Sequence, residues 1–498
     1  MNGWNRNRLL RGVCALFLAT AVLFPGTALG LPSETEKPSA AVTATAAPSN
    51  TPSAQSDRTA SAGEKREDAP KATEKPQVDS QGRPILGEGE TGILVERKSG
   101  TVLFESEAGK RMYPASTTKI MTALLAVEAL ENGELALEET VEITAEMLDG
   151  LDPDSSNMAL KEGEIISVEH LLEGLMIPSG NDAAMALAYR ISGSPEAFVE
   201  KMNARAESLG LQGTHFMNPH GLHHENHYTT AADLAELART AMGYDAFRNL
   251  VDIVHVKIPP TNKTEKQRYY INTNGLLSAM RYRDYVYKGA TGIKTGRTTE
   301  AGNCLVSSAQ RDGMELIGVI LGGKEIKDSH KDSIRILDYG FENYGTMQAV
   351  SKGEILGEVR VKQGKTKDSV TLSAVSGVTV VVPKGTGKEE LEIRMNAPDA
   401  LYAPLTKGQE AATVSVLHQG KELGIGKLCV DVDVARSAFW PVLALGEWLW
   451  SMTFVRILTY VLLAALVVFI FIMIVGLWKE LKRAKAQKRR RSRRGGRK

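Results

Sequence analysis

The sequence feature that most constrains the fold and topology of this chain is a charge-free apolar segment near the C-terminus, Ile457 to Trp478. At about 1.5 Å of rise per residue, a helix over this segment is ~33 Å long, which is enough to cross the hydrocarbon core of a bilayer. The segment after it, residues 479–498, is strongly basic and contains Glu480 as its one acid. The positive-inside rule therefore predicts a single-pass transmembrane helix over 457–478, a cytoplasmic tail over 479–498, and an extracytoplasmic location for everything before Ile457.

The basic tail also bears on binding partners. The net charge of the whole chain is +1, so the positive charge is a local feature of the C-terminus. A basic stretch directly beside a membrane span is more typical of an anchor to anionic lipid than of a nucleic-acid site. We therefore expect membrane lipid as a partner and no nucleic acid. Residues 437–456 carry three tryptophans, typical of an interfacial aromatic segment.

The N-terminus has the pattern of a secretory signal. Three arginines precede an apolar run from Val13 to Phe24, and the small-residue site Ala28-Leu29-Gly30 follows. The run is too short to span a bilayer, so residues 1–30 are interpreted as a signal peptide, with an uncleaved anchor as the alternative. Residues 31–80 are rich in Pro, Ser, Thr, Ala, Glu and Lys without apolar periodicity, which predicts a disordered linker.

Two folded regions are expected between the linker and the aromatic segment. Residues 81–345 mix a β-hairpin with apolar helical periodicity and are typical of an α/β domain. Within this region, a helix is predicted over Thr117–Asn132, and Ser167 is expected to cap a second helix. Residues 346–436 consist of short β-rich runs, the last over Cys429–Val434, which alternate with glycine-rich turns. This pattern predicts a small all-β domain.

Cysteine usage gives no structural framework. Cys14 falls in the predicted signal peptide, and the two remaining cysteines, Cys304 and Cys429, are expected in different domains. A disulfide between them is possible but not expected, and the spacings do not suggest a zinc site. A conventional hydrophobic core must therefore stabilise the chain.

Three short patterns occur in order: Ser116-Thr117-Thr118-Lys119, Ser179-Gly180-Asn181 and Lys294-Thr295-Gly296. Each pattern alone arises by chance about once or twice in a chain of this length, but their joint occurrence is specific. Ser155-Ser156-Asn157 also fits the second pattern. We set it aside because it falls in a polar loop, whereas Ser179-Gly180-Asn181 lies between two predicted helices.

The first pattern places a serine and a lysine on one face of a helix, three residues apart. A serine hydroxyl is a weak nucleophile until a base removes its proton. Lys119 can be that base if burial and a neighbouring cation such as Lys294 lower its pKa. The alternative is that Ser116 is a helix cap and Lys119 a solvated surface residue. The three patterns together favour the catalytic interpretation.

The residues around these patterns resemble those of the serine DD-peptidases, the low-molecular-mass penicillin-binding proteins of the D-alanyl-D-alanine carboxypeptidase type. The resemblance covers roughly residues 85–435 and is carried by the segments Tyr113–Leu124, Met176–Ala184, Asn218–Leu222 with 227–235, and Gly292–Val306. It implies an α/β (α+β) catalytic domain like that of the serine β-lactamases and DD-peptidases, with an antiparallel sheet and a helical cluster. A small all-β domain and the C-terminal transmembrane helix would follow.

The resemblance also implies an activity and its acid–base residues. It implies that the enzyme removes the terminal D-alanine from peptidoglycan stem pentapeptides in cell-wall biogenesis, through an acyl-enzyme and without a cofactor or metal. Ser116 would attack the carbonyl of the penultimate D-alanine, with Lys119 as general base. Ser179 would relay a proton to the leaving amine, and Asn181 would bind the substrate or orient Lys119. β-Lactam antibiotics would inhibit the enzyme by acylating Ser116.

The third motif is implied to bind the substrate. Lys294 and the hydroxyl of Thr295 would hold its terminal carboxylate, and Gly296 would let its backbone pair along the strand. The backbone N–H groups of Ser116 and Arg297 would form the oxyanion hole, where each donor is worth about 10²–10³ in rate. Arg297 stands where relatives often carry an aromatic residue or histidine, and Thr273 stands where some carry an arginine. We therefore expect Arg297 to add positive charge for the carboxylate.

Three other interpretations remain. A cluster of five potential metal ligands suggests a metallopeptidase; it consists of His220, His223, His224, Glu225 and His227. However, His224-Glu225-Asn226-His227 is one residue short of the zinc-binding pattern H-E-x-x-H. A β-lactamase shares the three motifs, yet no clear glutamate motif that would speed deacylation lies between Asn181 and Lys294. A non-enzymatic envelope-binding protein would not need the reactive residues.

Overall fold

The computed structural model describes residues 77–438 and 440–494. The signal peptide predicted over residues 1–30 and most of the linker predicted over 31–80 lie outside these residues. At the start of the described chain, the carboxylate of Asp79 accepts hydrogen bonds from the backbone N–H groups of Gln81 and Arg83. Val78 forms a bridge to Pro84, so backbone pairing already begins within the last residues of the predicted linker.

The described residues form ten α-helices, seventeen strands and three short 3₁₀ turns. The helices are α1 (Lys119–Glu131), α2 (Ala145–Leu148), α3 (Val168–Met176), α4 (Asn181–Ser192), α5 (Pro195–Ser208), α6 (Ala231–Ala241), α7 (Asp245–Val251), α8 (Ile326–Asn343), α9 (Trp440–Ser451) and α10 (Thr453–Arg494). The strands of the first domain are β1 (Thr91–Glu96), β2 (Val102–Ser106), β3 (Thr140–Glu142), β4 (Ile165–Ser167), β5 (His255–Ile258), β6 (Arg268–Ile271), β7 (Ala290–Thr298), β8 (Gly302–Arg311) and β9 (Met314–Gly323). The strands of the second are β10 (Tyr344–Val350), β11 (Ile355–Lys362), β12 (Ser369–Ala374), β13 (Val378–Pro383), β14 (Leu391–Asn396), β15 (Ala400–Tyr402), β16 (Glu410–His418) and β17 (Lys421–Val430).

An antiparallel sheet forms the centre of the first domain. Its strand order is β2-β1-β9-β8-β7, which leaves β7 at an edge. Successive side chains point to opposite faces of a strand, so Ile93 and Val95 of β1 pack into the core beneath the helical cluster. Leu94 between them packs into a second core, together with Ile336 and Leu337 of α8. The sheet is therefore buried on both faces, and β7 pairs with another strand on one side only in the described sheet.

Helix α1 lies at the centre of the helical cluster. The expected helix over Thr117–Asn132 is confirmed, except that its start is a 3₁₀ turn over Ala115–Thr118. Ile120, Leu124 and Val127 are buried, and so are the residues between them, because other helices surround α1 on most sides. A helix that is apolar all round is a core helix. Helix α1 is therefore buried on more sides than a helix with one apolar face would be.

Helix α3 follows the sequence prediction closely. Ser167 is its N-cap and accepts a hydrogen bond of 3.2 Å from the backbone N–H of His170. Such a cap satisfies one of the backbone donors that the first turn leaves unpaired. The helix ends at Met176, ahead of Pro178 and the second motif. Its C-terminal end therefore positions Ser179.

The second domain is all-β, as expected. It contains the pair β10-β13 and a sheet of order β14-β16-β17-β12-β11-β15, in which β11 and β15 pair in parallel. The strand expected over Cys429–Val434 is wrong beyond Val430, where β17 ends. Val434 instead forms an isolated bridge with Leu405. Cys304 and Cys429 are both free thiols, and burial raises the pKa of Cys304 to about 12.

The junction between the two domains is packed. Val381 of β13 is buried in the same apolar cluster as Leu103 of the first sheet and Phe341 of α8. The ammonium of Lys384 donates a hydrogen bond of 2.8 Å to the carbonyl oxygen of Phe341. The backbone N–H of Lys384 donates another, also 2.8 Å, to the carbonyl oxygen of Asn343. Apolar burial and hydrogen bonds therefore both hold the β-rich domain against α8.

One helix of the described chain is long and apolar enough to cross a membrane. The candidate segment is Thr453–Ala486; its most apolar 18-residue stretch has a mean hydropathy of 3.1, and none of that stretch is buried in protein. It contains the span predicted over 457–478. Trp448 and Trp450 lie exposed on α9, directly before it. A long exposed apolar helix of this kind needs a nonpolar surrounding such as lipid.

Candidate active site

Ser116 lies in the 3₁₀ turn that leads into α1. The turn is held by two threonine side chains, since Thr117 Oγ1 donates to the carbonyl oxygen of Pro114 over 2.7 Å and Thr118 Oγ1 donates to that of Ala115 over 2.8 Å. Ala115 adopts a φ of 48°, which is uncommon for a residue other than glycine. The turn therefore presents Ser116 at the N-terminal end of α1, where a developing negative charge is favoured.

Lys119 is fully buried and makes three polar contacts through its amine. Its Nζ lies 3.0 Å from Ser116 Oγ, 2.7 Å from Asn181 Oδ1 and 2.7 Å from the carbonyl oxygen of His220. Burial is the main reason why the pKa of Lys119 is held well below the ordinary value of 10.5, and the charge of Lys294 lowers it further. The carboxylate of Asp182 raises this pKa and so opposes both effects. The surface location considered as an alternative is wrong, and the amine can accept a proton from the serine.

The carbonyl of His220 is positioned by the loop Asn218–Leu222. Asn218 closes this loop, because its Oδ1 accepts from the N–H of Gly221 over 2.6 Å and its Nδ2 donates to the carbonyl oxygen of Leu222 over 2.9 Å. Gly221 has a φ of 89°, and a Cβ there would lie 1.9 Å from the carbonyl oxygen of Ala115. Glycine is therefore required for this loop to pack against the 3₁₀ turn over Ala115–Thr118, which carries the proposed nucleophile and is called the nucleophile turn below.

Ser179 and Asn181 occupy the junction between α3 and α4. Ser179 has a φ of 70°, and its buried Oγ has no hydrogen-bond partner within residues 77–438 and 440–494. Asn181 begins α4 and is buried, with its Oδ1 on Lys119 and its Nδ2 donating to Ser155 Oγ over 2.9 Å. The Ser155-Ser156-Asn157 segment is a loop, as expected, but it borders the site through this contact.

The third motif lies on the edge strand β7. A Cβ on Gly296 would come within 2.9 Å of the carbonyl oxygen of Pro114 and 3.0 Å of the backbone nitrogen of Ser116. Glycine thus allows the strand to pass directly against the nucleophile turn. Lys294 is buried, and burial followed by the charge of Arg281 lowers its pKa to about 7. The charge of Lys294 is in turn the second cause, after burial, of the lowered pKa of Lys119.

Thr295 and Arg297 alternate with Lys294 and Gly296 along β7 and therefore belong to its other face. Thr295 Oγ1 donates a hydrogen bond of 2.6 Å to Thr273 Oγ1, so two hydroxyl groups meet at the edge of the strand. Arg297 is exposed and lines a cleft of about 360 Å³ with Tyr282 and Tyr285, among others. Arg297 is thus separated from the buried lysines, although its backbone continues the strand beside Ser116.

The histidine cluster that suggested a metal has other contacts. His227 Nε2 lies 2.9 Å from Thr118 Oγ1, and its Nδ1 accepts from the N–H of Met217 over 3.3 Å. The ring of His223 packs edge-on against Tyr113 at 4.7 Å between centroids. Burial lowers the pKa of both His220 and His227 to about 3. In the described part of the chain, no group of three or more His, Cys, Asp or Glu side chains could hold a metal ion.

Three contributors to the site were missed from sequence: the carbonyl of His220, the hydroxyl of Ser155 and the hydroxyl of Thr273. A backbone carbonyl carries no sequence signal. Ser155 and Thr273 lie outside the three motifs, and long-range packing brings each to the site. The clustering of histidines near residue 220 reflects a loop that packs on the nucleophile turn.

Fold and site together define a class: the active-site serine enzymes that carry S-x-x-K, S-x-N and K-T-G motifs on a sheet flanked by a helical cluster. The D-alanyl-D-alanine carboxypeptidase model of peptidase family S11 matches residues 80–325, and the model of the C-terminal domain of penicillin-binding protein 5 matches residues 344–436. The chain belongs to the D-alanyl-D-alanine carboxypeptidase family.

Similar proteins agree with this family. D-alanyl-D-alanine carboxypeptidase DacF of Bacillus subtilis (strain 168) is 33% identical over 366 residues, which cover 73% of this chain and 91% of that protein. D-alanyl-D-alanine carboxypeptidase DacA of Haemophilus influenzae is 34% identical, over 72% of this chain and 88% of that protein. The crystal structure of penicillin-binding protein 5 from Haemophilus influenzae superimposes with a TM-score of 0.60 at 33% identity, covering 73% of this chain and 100% of that chain. These similarities do not favour the β-lactamase or the non-enzymatic interpretation.

Proposed function

We propose that this protein is a serine D-Ala-D-Ala carboxypeptidase that removes the terminal D-alanine from peptidoglycan stem pentapeptides. The observation that carries the proposal is the buried amine of Lys119, 3.0 Å from Ser116 Oγ and with its pKa lowered by burial. A neutral amine at this distance can take the proton of a hydroxyl as it attacks. The family of the chain and its similarity to named carboxypeptidases support the substrate class.

In the acylation step, Ser116 Oγ attacks the carbonyl carbon of the penultimate D-alanine while Lys119 Nζ accepts the hydroxyl proton. The negative charge that develops on the carbonyl oxygen is met by the backbone N–H groups of Ser116 and Arg297. When the C–N bond breaks, the proton passes through the hydroxyl of Ser179 to the nitrogen of the leaving D-alanine. The buried Oγ of Ser179, which has no hydrogen-bond partner among the described residues, supports this relay. Water then hydrolyses the ester, and the released acid leaves Ser116 as a free hydroxyl.

The terminal carboxylate of the substrate is assigned to the edge of β7. Lys294 supplies positive charge and Thr295 a hydroxyl, and the neighbouring hydroxyl of Thr273 supports a polar site at this place. The substrate backbone then runs antiparallel to β7, past Gly296, whose lack of a side chain lets the reacting carbonyl approach Ser116. β-Lactams carry a carboxylate and a reactive carbonyl in a comparable arrangement, and we expect them to acylate Ser116.

The proposal is tested with the full-length chain in detergent and a synthetic stem pentapeptide. We expect the wild-type enzyme to release free D-alanine and the Ser116→Ala variant to release none above background. Ser351→Ala, the same change at an exposed position of the β-rich domain, should match the wild type. A labelled penicillin should attach to the wild type and to Ser351→Ala, but not to Ser116→Ala. Release of D-alanine by Ser116→Ala would refute the assignment of the nucleophile.

Arg297 is proposed to add positive charge for the substrate carboxylate. Its position one residue beyond Gly296 supports this role, although it lines a cleft with Tyr282 and Tyr285 rather than the lysine site. We expect Arg297→Ala to raise KM for the pentapeptide. Arg283→Ala, which removes an exposed arginine from the neighbouring segment, should leave KM unchanged. Equal KM values for both variants would contradict the role of Arg297.

We also propose that α10 anchors the protein in the cell membrane, with the catalytic domain outside and the basic tail in the cytoplasm. The length and hydropathy of Thr453–Ala486 support an anchor. The basic residues after Trp478 support the orientation. A signal peptide over residues 1–30 is part of the same proposal, because the catalytic domain must then be exported.

A further inference from the structure

The loop that precedes β4 brings a third serine hydroxyl to the site, in addition to those of Ser116 and Ser179. Ser155 Oγ donates a hydrogen bond of 2.6 Å to the carbonyl oxygen of Asp152 and accepts one of 2.9 Å from Asn181 Nδ2. It also accepts a weaker one of 3.3 Å from Asn157 Nδ2. The single hydrogen of a hydroxyl can serve one acceptor. Because Asp152 takes that hydrogen, Ser155 offers Asn181 a lone pair and can accept from the NH₂ end of the amide.

The other end of the same amide faces Lys119. A neutral primary amine has two hydrogens and one lone pair. Asn181 Oδ1 and the carbonyl oxygen of His220, each 2.7 Å from Lys119 Nζ, are both pure acceptors and take the two hydrogens. Ser116 Oγ, at 3.0 Å, is the third close neighbour of Nζ. The lone pair that must receive the proton is therefore directed at the nucleophile.

The direction of the lone pair depends on which way the Asn181 amide points. With the amide reversed, its NH₂ group would face Lys119 and compete with the hydroxyl of Ser116 for the lone pair. One acceptor would also be lost, which frees the amine to rotate. We propose that Ser155 is a positioning residue: it holds the Asn181 amide in the orientation that directs the lone pair of Lys119 to Ser116. This inference rests on the proposed function, in which Lys119 accepts the serine proton.

The test measures acylation of the full-length chain in detergent by a labelled penicillin. Ser155→Ala should lower the limiting acylation rate about tenfold, as expected for one lost hydrogen bond. The dissociation constant of the complex that precedes acylation should stay at the wild-type value, because Ser155 acts through Asn181 and not on the ligand. Asp154→Ala, an exposed truncation in the same loop, is the control and should acylate at the wild-type rate.

A matched pair of variants separates the effect of the Ser155 hydroxyl from the effect of packing at this position. Ser155→Thr and Ser155→Val add the same volume, and the threonine alone keeps the hydroxyl. We expect Ser155→Thr to acylate at least several times faster than Ser155→Val. This comparison holds even if both replacements lower the unfolding temperature, since any steric cost is common to the two. Equal rates in the two variants would overturn the proposal.

A double-variant cycle tests whether Ser155 acts through Asn181. If it does, Ser155→Ala should cause no further loss in an Asn181→Ala background, because the amide to be positioned is gone. Losses that multiply in the double variant would show a separate structural effect and would overturn the proposal. A wild-type chain that penicillin does not acylate would instead contradict the proposed function, so the two failures are distinguishable.

Discussion

Two buried amines with different tasks lie in one site. In the proposed mechanism, Lys119 must be neutral to accept a proton, and Lys294 must be charged to hold a carboxylate. Burial lowers the pKa of both, and each pKa is lowered further by a neighbouring cation, Lys294 for Lys119 and Arg281 for Lys294. Because the pKa of Lys294 is about 7 in the free enzyme, pH decides how much of the enzyme has both amines in the required state.

The pH dependence of acylation follows from the lowered pKa values of Lys119 and Lys294. As pH rises through the lowered pKa of Lys119, the neutral base is gained and the second-order acylation constant rises. As pH rises through about 7, Lys294 loses its charge and the constant falls. Arginine keeps its charge across this range. In the Lys294→Arg variant we therefore expect the fall of the acylation constant at alkaline pH to move to higher pH, whatever happens to its maximum value. The measurement is the acylation constant for labelled penicillin between pH 5 and about 10.

The control for this change is Lys288→Arg, an exposed lysine just ahead of β7. Its pH profile should coincide with that of the wild type. An alkaline limb that stays in place in Lys294→Arg would mean that a group other than Lys294 titrates there.

The close approach at Gly296 makes a second prediction. An alanine Cβ would lie 2.9–3.0 Å from backbone atoms of the nucleophile turn, which cannot rotate away as a side chain can. The strand must shift outward, and we expect the acylation rate of Gly296→Ala to fall by about 10²-fold, as misplacement of about 1 Å does in other enzymes. Gly109→Ala, where a Cβ meets open space, should leave the rate unchanged. A Gly296→Ala variant with wild-type acylation would refute the importance of this approach.

The sequence was sufficient to predict which side chains meet at the proposed active site. Spacing and chemistry were enough to select Ser116, Lys119, Asn181 and Lys294, and the structure brings these four together. The sequence was silent on the acceptors that orient them. The carbonyl of His220 belongs to no side chain, and the hydroxyl of Ser155 depends on how a polar loop folds back on α4. Such contacts are determined by long-range packing, which local patterns do not encode.

At the scale of elements, the loop before β4 is fastened to the start of α4. Asp182 Oδ1 accepts from the N–H of Met158 over 2.9 Å, and its Oδ2 accepts from that of Leu160 over 3.0 Å. Burial raises the pKa of Asp182, and these backbone donors oppose the rise. One buried carboxylate thus ties together the loop that carries Ser155 and the helix that carries Asn181.

Removal of this carboxylate should loosen both elements. Asp182→Ala leaves two buried N–H groups without their acceptor, and we expect a loss of about 3 kcal/mol in the free energy of unfolding. Urea denaturation of the solubilised chain measures it. Asp154→Ala, exposed in the same loop, should change the free energy by less than about 0.5 kcal/mol. A similar stability for the two variants would show that Asp182 does not fasten the loop.

Elements with a strong local signal were predictable and others were not. The cap at Ser167 and the apolar spacing after Thr117 identified α3 and α1. The first and last strands of the β-rich domain were harder. β10 begins directly where α8 ends, at Tyr344, and β17 extends upstream through the polar residues Lys421 and Glu422. Pairing with neighbouring strands, rather than local propensity, decides where such strands begin and end.

At the scale of the whole molecule, the proposed anchor makes a direct prediction. A chain that ends at residue 436 lacks α9 and α10 and should leave the membrane for the aqueous phase of a detergent partition, with an unchanged acylation rate. A chain that lacks only residues 479–498 keeps the apolar segment and should remain in the membrane. Membrane association of the chain that ends at residue 436 would contradict the assignment of the anchor.

The apolar contact of Val381 with the first domain has a consequence for where the enzyme can work. A junction that buries a side chain in its neighbour's core does not swing freely. We expect the catalytic domain and the β-rich domain to move as one body, so the reach of the proposed cleft is that of the pair and not of the catalytic domain alone.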